Sequence, residues 1–493
     1  MGRRERARRR SIVAVPIAVA LIAVALIGVT QRPALLGTVA VRPALGLARI
    51  VVDERVGQAY VTSDDGGGHP SHVRVLDTTR GALLRTIALP ATVGGLVVDA
   101  RRGRVYAARS GPARCSSARS GLQTCAPTGS GIDVLDAQTG RLLRVLPVDA
   151  GDALALDDRT GLLYAVPSGG GTSPNGLATG ASIVRAIDPS TGRTVWTVRL
   201  SGGKQVFGFV TLGVDGHEGR LIAARTSLTT GGLSGAPIWS DTIDVVDLRG
   251  ERLLLHIPLA AGSFGADRPP LIDAGRARAF VAVSGSGTGL MRIVALDIRR
   301  GAILHTTTMG GSLGGIAEDA RTGRIFTTTQ GAARWVPTRT GNNASTTSVP
   351  AGMGSLLMFD AWGGTLLRVL PIGLGTTDVA VDEQRGRVYV LSVGAADAHN
   401  GLTRPGTLSV VDEQSGQVVR TLTVGAVPTS LTLDRHADRL LVGCVGTIGG
   451  GPPNDPWGWV PPSLRHLLPF IPRPPTPSYP PPGSIMIFDT TRL

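Results

Sequence analysis

The chain has 493 residues, 42% of them hydrophobic and only 4% aromatic, and a formal net charge of +14. Gly 68 and Pro 33 together make about a fifth of the chain, which excludes a helix-rich protein and, with that much apolar content, a disordered one. The charge is carried by arginine, since Lys204 is the only lysine; it is scattered through turns, without basic-aromatic patches, which argues against a nucleic-acid partner and fits a coding preference.

The first ten residues, MGRRERARRR, form a basic tail. Residues 11–30, SIVAVPIAVALIAVALIGVT, carry no charge and are long enough to cross a hydrocarbon core of about 30 Å as a helix, with Pro16 in the first turns where lipid-embedded helices tolerate it. The arginine cluster before the segment orients it with the tail in the cytoplasm. A cleaved signal peptide is the competing reading, although the exit GVTQRPALLG offers no clear small-residue cleavage site. Either way, residues 31–493 are expected outside the cytoplasm, in the cell envelope or secreted.

From residue 34 onward one module recurs. An apolar strand ends in Asp, a short turn leads to a strand starting Gly-Arg-x-Tyr, a variable connection follows, and a third strand ends Leu-Asp-x-x-Thr-Gly before a fourth, Leu-Leu-Arg-x-Leu. The first copy reads ARIVVDERVGQAYVTS and SHVRVLDTTRGALLRTIAL, and the second GLVVDARRGRVYAARS and GIDVLDAQTGRLLRVLPV. Later first strands end at Asp157, Asp215, Asp273, Asp319, Asp382 and Asp434, and third strands at Asp188, Asp247, Asp297, Asp360, Asp412 and Asp489. The short alternating or continuous apolar runs predict half-buried and buried strands. The recurrent Asp residues precede turns, where a carboxylate accepts backbone N–H bonds, so turn capping is the expectation rather than a ring of catalytic or metal-binding carboxylates.

The sequence Tyr60-Val61-Thr62 with the VLDTTRGALLRTI block resembles the YVTN-type β-propeller repeat of exported prokaryotic proteins, with Ser63 in place of the namesake Asn. The resemblance covers residues 34–493 and implies an all-β fold, a β-propeller of four-stranded antiparallel blades. The segment DPSTGRTVW, ending at Trp196, is similar to the pattern of quinoprotein-type propellers, where it recurs in many blades and here occurs once.

Counting modules gives eight blades, with a seven-bladed ring the alternative. The last module stops at SIMIFDTTRL, without a fourth strand. RPALLGTVAV at 32–41 aligns with RGALLRTIAL at 80–89, so the N-terminal strand is expected to complete the final blade and remove the exposed sheet edges. The turns between strands one and two and between three and four then share one face. The long, variable two-three connections share the other, where binding residues are expected.

Four connections hold candidate sites. DDGGGHPSH places Asp64, Asp65, His69 and His72 close together, a donor set that could hold a divalent metal or simply form a solvated loop; Asp397 and His399 make a thinner version. Cys115 and Cys125 flank a nine-residue polar loop that a disulfide would staple in an oxidising compartment, the alternative being two free thiols; Cys444 reads as a buried apolar residue. The Pro-rich insertion at 449–483 carries Trp457, Trp459, Phe470 and Tyr479, either as a partner-binding surface or packed over the channel. The sequon at Asn343 decides little. No nucleophile elbow, phosphate loop, zinc motif or haem motif occurs, and no cofactor is expected. The function expected is that of a membrane-anchored extracytoplasmic binding or scaffold module for a protein, glycan or envelope ligand. The alternative is a propeller enzyme, a lactonase-like hydrolase or a quinone-dependent oxidoreductase working in the central channel.

Overall fold

The computed structural model describes residues 34–41, 46–64, 71–110, 113–117, 123–127, 129–151, 153–167, 171–172, 178–179, 183–200, 207–230, 237–259, 269–284, 290–331, 333–340, 343–350, 352–394, 405–445 and 483–493. The basic tail, the apolar segment 11–30 and most of the Pro-rich insertion lie outside them. No helix among the described residues is long and apolar enough to cross a membrane.

Eight four-stranded antiparallel sheets account for the repeat, which settles the blade count at eight. Blade 1 spans residues 46–88, blade 2 92–146, blade 3 153–199, blade 4 207–258, blade 5 271–310, blade 6 313–374 and blade 7 376–423. Blade 8 takes three strands from 428–489 and its outer strand, Leu35–Ala40, from the other end of the chain. The seam runs in antiparallel register from Leu35 opposite Phe488 to Ala40 opposite Ser484. It is extended by Val41 N–H to Gly483 O and Asp489 N–H to Ala34 O. First strands of successive blades pack against each other, blade 8 against blade 1 included, so the ring is closed.

The apolar core is divided among eight clusters, each shared by two neighbouring blades. Tyr60, Val73 and Val75 of blade 1 pack on Leu96, Val105 and Ala107 of blade 2. Val39, Val41 and Ile485 of blade 8 pack on Val61 and Leu76 of blade 1. This follows from strands that are apolar on both faces: each face needs another sheet to cover it.

The Asp residues cap turns, as the sequence predicts. At the ends of the first strands, Asp53, Asp99, Asp157, Asp215, Asp273, Asp319, Asp382 and Asp434 each accept a backbone N–H two or three residues on. The third-strand residues from Asp77 to Asp489 do the same. The Thr139 N–H and hydroxyl hold Asp136 below the usual carboxylate range, and the Ser190 hydroxyl does so for Asp188. Glycine closes most of these turns for a conformational reason. Gly364 has φ +72°, and a Cβ there would lie 2.4 Å from the Ala295 Cβ of the neighbouring blade.

The fourth strands share a feature that the repeat does not announce. Each carries one residue more than its partner, a β-bulge, at the same place: Leu84 in blade 1, Leu143 in blade 2 and Leu36 in blade 8, with equivalents in the other five. The residue after the bulge is turned toward the next blade. Arg144 donates to the carbonyls of Ser190 and Pro189 in blade 3, Arg368 to Ser415 O in blade 7 at 2.7 Å, and Arg420 to Arg492 O in blade 8. The arginine of Leu-Leu-Arg is therefore an inter-blade clamp.

Deletion of residues 34–41 removes the seam strand and bares the edge of the third strand of blade 8, Ser484–Asp489. Differential scanning calorimetry and size-exclusion chromatography are expected to show a lower, broadened transition and self-association; an unchanged transition and elution position would refute the closure.

Candidate functional site

The face carrying the two-three connections is built up unevenly. In blade 2, Ala113–Ser117 and Gln123–Pro127 form a hairpin above the blade, and in blade 3 Gly171–Thr172 pairs with Ala178–Thr179. In blade 4 the middle strands, Arg220–Thr230 and Pro237–Asp247, simply continue outward, paired as far as Thr230 and Pro237. Blade 6 adds Ala333–Thr340 with Asn343–Pro350, which places Asn343 at the hairpin turn. The hairpins of blades 2 and 3 touch through Gln123–Pro127 and Gly171–Thr172. Segments that read as loops in the sequence are thus partly β-ladder, because Thr, Ser and Val stretches can pair across a Gly-rich tip.

Beneath this crown, three blades bury a charge at one diagonal of strands two and three, where blade 7 has Ser392 and Ser409, blade 3 the half-buried Arg185, and blades 5 and 8 apolar residues. The positions are equivalent: five residues after the start of strand two and three before the Asp that ends strand three, a diagonal cross-strand pair. In blade 1 the pair is Ser63 and Arg74, which donates to the Ser63 hydroxyl. In blade 2 it is Arg109 and Asp133, 3.4 Å apart. In blade 4 the Arg225 Nε and Nη2 both reach Asp244 Oδ2, at 2.8 and 2.7 Å, while His256 Nδ1 lies 2.8 Å from Asp244 Oδ1.

These groups differ in how well they are satisfied. Burial pulls the Arg225 guanidinium down, and the Asp244 carboxylate opposes that pull. Asp133 is fully buried and neither of its oxygens accepts a hydrogen bond from the described residues, since Arg109 is close enough to attract but poorly aligned. Burial accordingly raises Asp133 above the usual carboxylate range, with Arg109 opposing. The best satisfied buried charge is therefore under blade 4 and the least satisfied under blade 2.

The sequence-derived candidates are placed as follows. Ser63 pairs with His72 across strands two and three of blade 1, so Asp64 and His72 stand at the two ends of the connection. His72 is half-buried and its Nδ1 has no hydrogen-bond partner among the described residues. Asp65, His69, Asp397, His399, Trp457, Trp459, Phe470 and Tyr479 lie outside the described residues. Among the described residues no group of three His, Cys, Asp or Glu side chains could hold a metal ion. Cys115 stands directly opposite Cys125 in the blade 2 hairpin, and Cys444 is buried. Opposed residues in an antiparallel pair have Cα atoms about 4.5–5.5 Å apart, within the span of a disulfide.

The turn face is uniform by comparison. Between blades 7 and 8 it has a cavity of about 100 Å³ lined by Asp382, Glu383, Arg385, Asp434, Arg435 and Asp438. Arg385 already reaches Asp382 and Asp438 at 2.8 Å each, and Arg435 reaches Glu383 at 2.7 Å. A space of about three waters whose charges are mutually paired is a structural junction rather than a ligand pocket.

One carboxyl on that side stands out. Burial, reinforced by the Asp273 carboxylate, pushes Glu318 up to about 8. Arg276 at 3.3 Å pulls the other way, but that guanidinium is shared with Asp273 and the Ala320 carbonyl.

Two expectations follow. Asp244→Ala removes the carboxylate that pairs with Arg225, a guanidinium 1% exposed. It should cost about 3–5 kcal/mol, read as a lower urea midpoint, and a loss below about 1 kcal/mol would refute the pairing. For Glu318, a native pKa above the unfolded value means that its stabilising share is complete below about pH 4.5 and lost as pH rises toward 8. Melting temperature should therefore decline across that window, and Glu318→Gln should flatten the decline; parallel curves would refute it.

No family model and no curated protein matches the sequence. Among solved structures the chain is similar to BamB from Moraxella catarrhalis, at 14% identity over 83% of this chain and 96% of that one, with a TM-score of 0.45. It is similar to the Swd1 β-propeller domain of Myceliophteria thermophila at 13% identity, over 72% and 96% of the two chains, TM-score 0.41. It is also similar to Saccharomyces cerevisiae Sqt1 at 10% identity, over 82% and 92%, TM-score 0.48. At that distance it is the eight closed strand ladders that establish the fold: the chain is an eight-bladed, all-β propeller.

Proposed function

We propose that the protein is a binding or scaffold module of the YVTN type, held at the outer side of a membrane by residues 11–30. It engages a protein, glycan or envelope ligand with the face of its two-three connections. The observation that carries the reading is the asymmetry between the two faces. The turn face repeats eight times with little variation, whereas the other is elaborated by paired strands on blades 2, 3, 4 and 6. Rigid scaffolds that vary on one face only are using that face for recognition.

The reading also places Cys115 and Cys125 in an oxidising compartment, where they join as a disulfide across the hairpin. The membrane segment enters the outer strand of blade 8 from its turn end, which turns the elaborated face away from the bilayer.

In-cell crosslinking with the full chain tests this. A Gly-Ser bridge replacing residues 113–127 should abolish crosslinks seen with the native chain while leaving it in the membrane fraction, and non-reducing alkylation should spare both hairpin thiols. Identical crosslinks from the two chains, or both thiols modified, would refute it.

A further inference from the structure

Blade 6 departs from the repeat at both of its junctions. The residue before the Asp that ends the first strand is Val, Leu or Ile in seven blades and Glu318 in blade 6. The residue after the Asp that ends the third strand is uncharged in seven blades and Glu413 in blade 7. Glu318 and Asp319 are consecutive in one strand, so their side chains leave it on opposite sides. Glu318 enters the junction with blade 5 and Asp319 the junction with blade 7. On each side the group met is another carboxyl.

In the first junction Glu318 is in hydrogen-bonding contact with Asp273, and Arg276 lies 3.0 Å from Asp273 and 3.3 Å from Glu318. In the second, Asp319 is in the same kind of contact with Glu413. Thr322 donates to Glu413 Oε1 at 2.6 Å, and Arg324 lies 3.3 Å from that oxygen. Glu413 Oε2 and Asp319 Oδ2, however, are buried and accept no hydrogen bond from the described residues. Arg321, 3.7 Å from Asp319 Oδ2, is mostly in solvent. All four carboxyl side chains are at most 11% exposed. Nearby charges are engaged elsewhere, Arg278 with Asp297, Arg387 with Asp412 and Asp378 with the Leu431 N–H, while Glu383 adds to the negative field at Glu318. His305 stands at the outer side of the first junction, beside Gly364.

Two ionised carboxylates cannot hydrogen-bond to each other, so a buried contact of this kind holds one proton for the pair. Burial raises Glu318 to about 8 and raises Glu413 as well, with the facing Asp adding to each.

We propose that blade 6 is latched into the ring by two shared protons, one at each junction. Their loss to solvent sets like charges against each other on both sides of the blade. It then opens from its neighbours, together with the crown hairpin of Ala333–Thr340 and Asn343–Pro350 that it carries. The other six junctions lack these glutamates and stay shut. Because the closed-state pKa lies above that of the open blade, the stabilising share is complete below about pH 4.5 and is lost as pH rises toward 8.

Hydrogen exchange on the full chain in neutral detergent micelles tests this. From about pH 5 to about pH 9, protection factors should fall at least about tenfold in Arg324–Thr329 and Met353–Asp360 of blade 6 and hold steady in His72–Asp77 of blade 1. Glu318→Gln combined with Glu413→Gln should keep blade 6 protected throughout, because an amide donates to the facing Asp without titrating. His305 is unchanged in that variant, which separates its titration from that of the latch. A fall shared equally by blade 1, or one that survives both substitutions, overturns the latch. Protection restored by calcium at the alkaline end and removed by a chelator marks a held cation in place of the protons, and overturns it too. The single variants cover the case of a double variant that does not fold. Each should recover part of the loss, and one whose profile matches the native chain overturns the two-sided device.

Discussion

No blade of this protein can stand alone. A four-stranded sheet with apolar residues on both faces needs a neighbour on each side, and each of the eight clusters of buried side chains is shared between two blades. An open array would leave two bare faces and two exposed sheet edges, which is costly by the hydrophobic effect and hazardous for aggregation. The pairing of Leu35–Ala40 with Ser484–Asp489 removes these terminal faces and edges, and every other interface depends on it indirectly.

The repeat can be read as a set of instructions for that packing. Asp and Gly shape the turn, aliphatic strands supply the shared core, the bulge bends the outer strand, and the next residue reaches the following turn. Where the clamp is arginine it finds a carbonyl, as Arg144 does at Ser190. Where the position is Gly37, in blade 8, the Gly81 backbone lies so near that a Cβ would come within 3.1 Å of its carbonyl oxygen. The first interface in sequence and the last in space are made by closer approach rather than by a longer side chain.

Much of this was legible in the sequence because it is local or repeated. Asp136 with Thr139 and Gly140 is a turn that any short window reveals, and the likeness of 32–41 to 80–89 exposes the missing fourth strand. The role of Arg144 was not legible, since its partner belongs to another blade. Arg109 with Asp133 and Arg225 with Asp244 are separated by variable connections of different length, so no fixed spacing betrays them. The signal they do leave is a charge in strands that bury both faces. The strand-built parts of blades 2, 4 and 6 look like loops in the sequence because their polar residues hide the alternation that marks a strand.

The seam also has a consequence in time. Ala40 is made before every blade, yet its partner Ser484 comes almost at the end of the chain. That is a contact of extreme sequence separation, and such contacts form slowly because the intervening chain must first be ordered. Blades 1 to 7 can assemble in order while the first strand waits, leaving the outer edge of Ser484–Asp489 in blade 8 as the last to be paired. The nascent molecule therefore passes through a stage that is nearly complete in content but still sticky at one gap. Its vulnerability to misassembly is concentrated at the moment of closure.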